Sequence, residues 1–470
     1  MKYLILPLWK RALIAIATVI VFFGVAILAL YIRVLAFRKN YYEEIGEIPD
    51  HVDLENVSDP QPLQAIGRGI YDKNGDRVKL EGINFGNWLL QEGWMTVNSL
   101  GAKYNSKGAV VGYEETFQEE VYEAMYNNPN LTKQQVDELW EVYYDNYITE
   151  IDFANVKDIG MNVIRLPVYY RTFMEGDDEH LVMRKDAFKR LDWFLEMCQK
   201  YDLYAIIDMH GVVGGQSGFE HSGSRTADFW KNEIYIEQMC QLWENIAYHY
   251  EYERADLYET IAAYDLVNEP VDSNTPSTTR AQWRVMDRLF KEIRKVDSRH
   301  MISVECCWSF SSFPDPKDFG WDNVMYQIHL YNWVSDTFSQ DSFYAGQDVT
   351  FAANNYKVPY LIGEFTFFKN ENDWDRFLNE YDKRGWNWTA WSYKISVTGS
   401  WDSCWGIYVN PMKLPKGKLK LDLRTATYDE IYAEWSTLGT TQRPHKTGLL
   451  YRVLKRHFDE QHAQKTPHIA

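Results

Sequence analysis

Two short apolar runs in this 470-residue chain end on a carboxylate. Ala263-Tyr264-Asp265-Leu266-Val267 leads into Asn268-Glu269-Pro270, and Val358-Pro359-Tyr360-Leu361-Ile362 leads into Gly363-Glu364-Phe365. Each run lacks polar alternation, as a strand covered on both faces does. Pro270 cannot donate a ladder hydrogen bond, so pairing should stop there and leave Glu269 at the strand's C-terminal end. Among 67 acidic residues a solvated loop acid is the default for any one, but the neighbours of these two point elsewhere. An Asn amide can hold a substrate hydroxyl beside a proton donor, and Gly363 lets another group approach the backbone closely. Two strand-end carboxyls facing one cleft suit glycosidic hydrolysis, where one is a protonated acid for the leaving oxygen and the other an ionised nucleophile or base.

Other apolar runs end on polar groups too. Arg165 closes Asn162 to Leu166, Asp208 and His210 close Leu203 to Asp208, His329 and Tyr331 close Val324 to His329, and Trp391 closes Trp388 to Trp391. Singly, each has a structural alternative: a buried ion-pair partner, a satisfied core histidine, ring packing at a mouth. Jointly they describe a site. Arg165 and Tyr331 near Glu364 would hold it ionised, since positive charge and hydrogen-bond donors favour a carboxylate. Burial against rings would raise Glu269 and keep it protonated. Trp391 would floor a sugar site.

The elements that must position these groups alternate along the chain. With Lys79 to Phe85 and Met301 to Glu305, the runs give eight strands, most of them separated by helical spacing such as Ala187 to Tyr201 and Thr279 to Val296. The class is therefore α/β, a (β/α)8 TIM barrel, whose active sites lie at the C-terminal ends of the strands. Gly69 to Val78 reads as a hairpin about Asn74-Gly75 that could plug the barrel floor. Glu114 to Tyr126 and Lys133 to Tyr147 read as helices of an insertion, Thr132 capping the second, and Lys446 to His462 as a closing helix.

Composition narrows the partners. A net charge of −18 disfavours nucleic acid, and five cysteines without ligand spacing imply neither a disulfide framework nor a zinc site. Aromatic residues make up 16% of the chain, more than a core requires, and sugar clefts use such rings as platforms. Residues 12–32 are uncharged and nearly all apolar, with Lys10 and Arg11 before them and Arg33 after. Their length suits a transmembrane signal anchor crossing the lipid bilayer better than a cleaved signal peptide. The expected domains are thus 1–39, a cytoplasmic stub and anchor; 40–66, an acidic extended linker with Pro60 and Pro62; and 67–465, a catalytic barrel outside the cytoplasm. Asn56-Val57-Ser58, Asn130-Leu131-Thr132 and Asn387-Trp388-Thr389 match the N-glycosylation pattern.

Taken in order, Asn268-Glu269-Pro270, His329-Leu330-Tyr331, Gly363-Glu364-Phe365 and Trp391 resemble glycoside hydrolase family 5. Gly82-Ile83-Asn84-Phe85-Gly86-Asn87-Trp88-Leu89 and the loop His210 to Gly223 resemble its exo-β-1,3-glucanase branch, although that branch usually has Gly-Gly-Trp where this chain has Gly86-Asn87-Trp88. The resemblance implies a retaining β-glycosidase acting on a β-linked oligo- or polysaccharide, with Glu269 as acid/base and Glu364 as nucleophile. It implies Arg165, His210, Asn268, His329, Tyr331 and Trp391 as the substrate-binding shell, and no cofactor, metal or obligate protein partner. A β-mannanase, a glycolipid-directed β-glucosidase and a sugar-binding receptor without turnover remain alternatives. A metal-dependent barrel hydrolase is disfavoured, because no His-x-His ends the first strand.

Overall fold

Eight strands close into a parallel barrel in the computed structural model: β1 (Glu81–Asn84), β2 (Val163–Tyr169), β3 (Tyr204–Gly211), β4 (Ile261–Asp265), β5 (Met301–Cys306), β6 (Val324–Tyr331), β7 (Tyr360–Thr366) and β8 (Asn387–Ala390). Each pairs with its neighbours in sequence, and β8 pairs with β1 to complete the ring. The structure describes residues 16–29, 32–33, 47–54, 62–271, 278–307, 309–334, 336–354, 356–397, 404–411, 420–442 and 446–465. In the eight strands only Tyr204 and Tyr331 fall short of full burial. Side chains fill the inside and helices cover the outside, which is why the runs show no alternation.

Helices link most strands: Glu150–Ile159, Lys189–Lys200, Glu233–Tyr248, Arg280–Val296, Thr337–Ala353 and Glu371–Arg384, with Leu449–Lys465 closing the ring after β8. Arg280–Val296 buries Trp283, Met286, Leu289, Phe290 and Ile293 on one face, and Thr279 with Gln282 caps its start. Between β5 and β6 the described residues form only short 3-10 turns, Phe310–Ser312 and Pro316–Asp318. In the insertion, Lys133–Tyr147 forms as expected with the Thr132 side chain accepting from the Gln135 N–H. The other helix starts at Gln118 instead of Glu114, because the chain before it is used in a hairpin, Ala102–Tyr104 with Val110–Tyr113.

The barrel floor is plugged by a three-stranded antiparallel sheet, Leu63–Ile66, Gly69–Asp72 and Arg77–Val78. Leu63, Ile70 and Leu80 pack there against Val163, Ile206, Met301 and Leu361. The spacer expected over 40–66 is therefore shorter than its composition suggested. Asn323 accepts from the Ala65 N–H at 2.7 Å, the Val52 N–H donates to Gly75 O at 2.8 Å, and the Arg77 N–H donates to Asp50 O at 2.9 Å. Acidic composition describes the side chains, whereas these contacts use the segment's backbone groups and a few apolar residues, Leu63 and Ala65 among them. Among the described residues no helix is long and apolar enough to cross a membrane. The expected span 12–32 is helical over 16–29 and 32–33, and its other positions lie outside the described residues. Asn56 also lies outside them, Asn130 is exposed, and Asn387 is buried, with its Oδ1 accepting from the Leu80 N–H and its Nδ2 donating to Tyr360 O, which leaves no space for a glycan.

Candidate active site

Arg165, fully buried on β2, is the hub of the barrel mouth. Its Nη1 donates to Glu364 Oε1 at 3.0 Å and to Asn84 Oδ1 at 3.1 Å, and its Nε to Asp265 Oδ2 at 3.0 Å. Its Nη2 reaches Asn268 Oδ1 at 2.8 Å and Asp208 Oδ1 at 3.0 Å. Burial opposes the guanidinium charge, but the surrounding carboxyls, Asp208 first and then Asp265 and Glu364, hold it charged. Arg165 thus ties residues from β1, β2, β3, β4 and β7 into one rigid group, which suits a planar five-donor fork.

Glu364 lies within β7, not past its end, because pairing with β6 continues through Tyr331↔Thr366 across a register shift. Beside it, a Cβ on Gly363 would fall 2.6 Å from the Gln327 Cδ, so glycine is what admits Gln327 to the barrel interior. Gln327 Nε2 then donates to Asp265 Oδ2 at 2.8 Å and Glu305 Oε2 at 2.9 Å. Tyr331 donates its hydroxyl to Glu364 Oε2 at 2.9 Å.

Glu269 stands four residues beyond the end of β4. The Leu266 and Asn268 N–H groups still bond to Ser303 O and Met209 O, and Glu269 then turns with φ 39°. A non-glycine residue in that region carries about 1–3 kcal/mol of strain, held here by its surroundings. Its Oε1 meets His329 Nδ1 at 2.8 Å and its Oε2 meets His221 Nε2 at 3.2 Å. On its other side His329 presents Nε2 to Glu305 Oε1 at 3.5 Å. Burial, then the neighbouring Asp265, pushes Glu305 well above the usual carboxyl range, so it is a neutral acid facing that nitrogen. His329 thus stands between the two acids, with Nδ1 on Glu269 and Nε2 towards Glu305.

Burial pushes Glu269 up to about 8, with Arg165 opposing. Glu364 was expected to be held ionised. Burial outweighs Arg165, His210 and Tyr331, and Glu364 is raised to about 7, still below its partner. An oxygen of each carboxyl and a ring nitrogen of His329 lie within 4.8 Å of one another, a set that could also chelate a cation. A second such set, Glu81, Asp382 and His457, is engaged by Lys79, whose Nζ meets Glu81 at 2.6 Å and also Asp382.

These carboxyls open into a cavity of about 930 Å³ lined also by His210, Asn268, Tyr331 and Trp391, with Arg165 and His329 buried beneath. All eight residues expected from the sequence are thus brought together. His210 is fixed by Asp208 at 2.6 Å, is kept neutral by burial, and stacks on Trp391 at 5.6 Å. Asn87, where a glycine was expected by resemblance, has φ 65°, a conformation Asn tolerates, and its Oδ1 accepts from the Glu92 N–H. Sequence reasoning missed Asn84 and Asp265, the last residues of β1 and β4, Glu305 near the end of β5, and Gln327 in the middle of β6, all buried under the mouth. It also missed the cavity wall of Glu92, Trp94, Phe219, Glu220, His221, Trp333, Trp405 and Lys420. A polar residue interrupting an apolar run, as Asp265 and Gln327 do, was the available signal.

A closed parallel barrel with two opposed carboxyls at the C-terminal ends of β4 and β7, backed by an arginine and ringed by aromatic side chains, defines a barrel glycoside hydrolase. The family model for cellulase (glycosyl hydrolase family 5) matches residues 120–396, and the chain belongs to that family. Similar curated proteins include a β-xylosidase of Phanerodontia chrysosporium, 32% identical over 279 residues that cover 57% of this chain and 52% of that protein. Glucan 1,3-beta-glucosidase 2 of Wickerhamomyces anomalus is 27% identical over 225 residues, 47% of this chain and 49% of that protein. The chain thus spans about half the length of these relatives. A rutinosidase from Aspergillus niger shares the fold, with a TM-score of 0.54 at 17% identity over 68% of this chain and 91% of that one.

Proposed function

We propose that this chain is a retaining β-glycosidase that releases β-linked glucosyl units from a β-glucan or β-glucoside by two displacements. The carrying observation is the pairing of Glu269 and Glu364, with an oxygen of each within 4.8 Å. So close an approach supports the carboxyl spacing of about 5–5.5 Å of retaining enzymes over the about 6.5–9.5 Å of inverting ones. In the first step Glu364 attacks the anomeric carbon while Glu269 gives its proton to the departing oxygen. In the second, Glu269 takes a proton from water as that water displaces Glu364. Arg165 and Tyr331 favour the ionised form of Glu364, and burial favours the protonated form of Glu269. Relatives named glucan 1,3-beta-glucosidase support a glucosyl substrate. The 32% identical β-xylosidase supports a second reading, a β-xylosyl substrate on the same site.

The anchor is part of this reading. Residues 16–29 are helical yet leave Ile20, Phe22 and Phe23 at least 60% exposed, as apolar side chains facing lipid would be. The barrel would then stand on the extracytoplasmic side of a single span.

The test separates the two glutamates. Glu364→Gln should abolish activity on every β-glucoside and β-xyloside whatever the leaving group. Glu269→Ala should still be glycosylated by a dinitrophenyl glycoside, and azide should rescue it to a β-glycosyl azide. Equal collapse of both variants on the activated substrate, or an α-configured first product, would overturn the assignment.

A further inference from the structure

The acid/base carboxyl lies between two imidazoles, and the roles above use only one of them. His329 engages Oε1 of Glu269, and Oε2 faces His221 Nε2 at 3.2 Å. His221 belongs to the short turn Glu220–Ser222 in the loop after β3, well away in sequence from either glutamate. That loop is anchored to the barrel. Gln216, fully buried, donates to His210 O at 2.7 Å and to Asn268 O at 3.0 Å, and Trp230 Nε1 donates to Gln216 O at 2.6 Å. The ring of His221 is further fixed by Ser217 Oγ, 3.1 Å from Nε2, and by Phe219 with ring centroids 5.9 Å apart.

We infer that His221 is a positioning residue for the acid/base, donating its Nε2–H to Glu269 Oε2 and stabilising the carboxylate left when the proton departs. Once the proton has left, the Glu269 carboxylate can only accept hydrogen bonds, so in that state a hydrogen on Nε2 serves it at 3.2 Å, with Ser217 Oγ, 3.1 Å from the same nitrogen, holding the ring in place. Burial keeps the ring neutral, so it donates without supplying a competing proton. In the step concerned, the bond between the anomeric carbon and the departing oxygen breaks with its electron pair going to that oxygen. The oxygen takes the proton from Glu269, and Glu364 bonds to the carbon. His221 keeps its proton throughout and strengthens its hydrogen bond as charge appears on Oε2.

The inference rests on Glu269 being the acid/base, and its test distinguishes the two claims. His221→Phe keeps the ring and removes the donor, while His221→Gln keeps an N–H. With the full-length protein, His221→Phe should lower kcat/KM for an alkyl β-glycoside by about 10–100-fold, less than the roughly 10²–10⁴-fold that the general acid itself contributes. For the dinitrophenyl glycoside, which needs no proton, the fall should stay within about threefold, and His221→Gln should recover most of the loss on the alkyl substrate. An equal fall on both substrates, or no fall on either, overturns the role of His221. If Glu269→Ala itself shows no dependence on leaving group, the acid/base assignment fails instead.

Discussion

At Gly363 a single hydrogen decides whether the polar group under the site can form. Gly363→Ala places a methyl 2.6 Å from the Gln327 amide, which is packed between Asp265 and Glu305 and has nowhere to retreat. Overpacking of this kind costs about 1–3 kcal/mol, so thermal melts should shift down and kcat should fall with it, because Glu364 is the next residue. Unchanged melting would mean that Gln327 is not held as described. The titration of the two glutamates predicts the activity profile. Catalysis needs Glu364 ionised and Glu269 protonated, so kcat/KM should peak between about 7 and about 8, with both limbs belonging to the coupled pair. Glu269→Gln, assayed on the dinitrophenyl glycoside, should lose the alkaline limb. At this scale the sequence was readable where a polar residue closed an apolar run, as at Glu269 and Glu364, whereas Arg165, expected to end its strand, is the third residue of β2, which continues to Tyr169. It was silent on His221, one polar residue in a glycine-rich loop whose backbone, with φ near 70° at Gly214, Gly215, Gly218 and Gly223, has no pattern to read.

Strand positions were legible because buried parallel strands are continuous apolar runs, but their ends were not. β3, β6 and β7 continue past the residues at which hydrophobicity drops, since polar groups inside the mouth stay paired and buried. β4 stops earlier than expected because the chain must swing Glu269 across the mouth. The floor sheet was half legible: the Asn-Gly turn announced the hairpin, whereas Leu63–Ile66 was masked by its acidic surroundings. This leads to a truncation test. A chain beginning at Glu47 should keep its melting temperature and activity, since it retains the pairing of Asp50 and Val52 with the hairpin and the whole floor. One beginning at Gly67 loses the strand Leu63–Ile66, the Asn323 bond to Ala65 and the fully buried Leu63. Burial of that leucine alone accounts for about 1.5–3 kcal/mol, so this chain should melt measurably lower. Equal melting of the two would show that the floor strand is dispensable.

Over the whole molecule, the same burial that prepares the site sets how stability varies with pH. Glu305 and Glu92 are raised well above the carboxyl range, and Asp208, Asp265 and Glu220 are raised to about 7, in each case first by burial. A group whose folded pKa is raised keeps its proton in the native state after the unfolded chain has lost it. Its contribution is full below the ordinary carboxyl pKa and is lost as pH rises through the folded value. Glu81 runs the other way. Burial raises it, but His457 at 3.8 Å and the Lys79 ammonium bonded to it at 2.6 Å win and hold it at about 2. Asp297 is likewise held low, by His300 against burial. Their stabilisation is present above the ordinary carboxyl range and is lost in acid. The two sets together place maximum stability near the ordinary carboxyl pKa, about 4–5, below the pH at which the glutamate pair is poised for catalysis. The melting temperature should therefore fall from pH 5 to pH 8 while activity rises. The net charge of −18 would also weaken the fold as acids ionise, so a variant must separate the causes. Glu305→Gln removes one buried ionisation while keeping a hydrogen-bonding side chain of the same length facing His329. It should melt higher than the parent at pH 8 by about 1 °C for each kcal/mol recovered, given the size of the barrel, with little change at pH 5. A melting temperature that rises from pH 5 to pH 8 in the parent, or a shift in Glu305→Gln that is equal at both, would mean that the buried acids do not govern the profile.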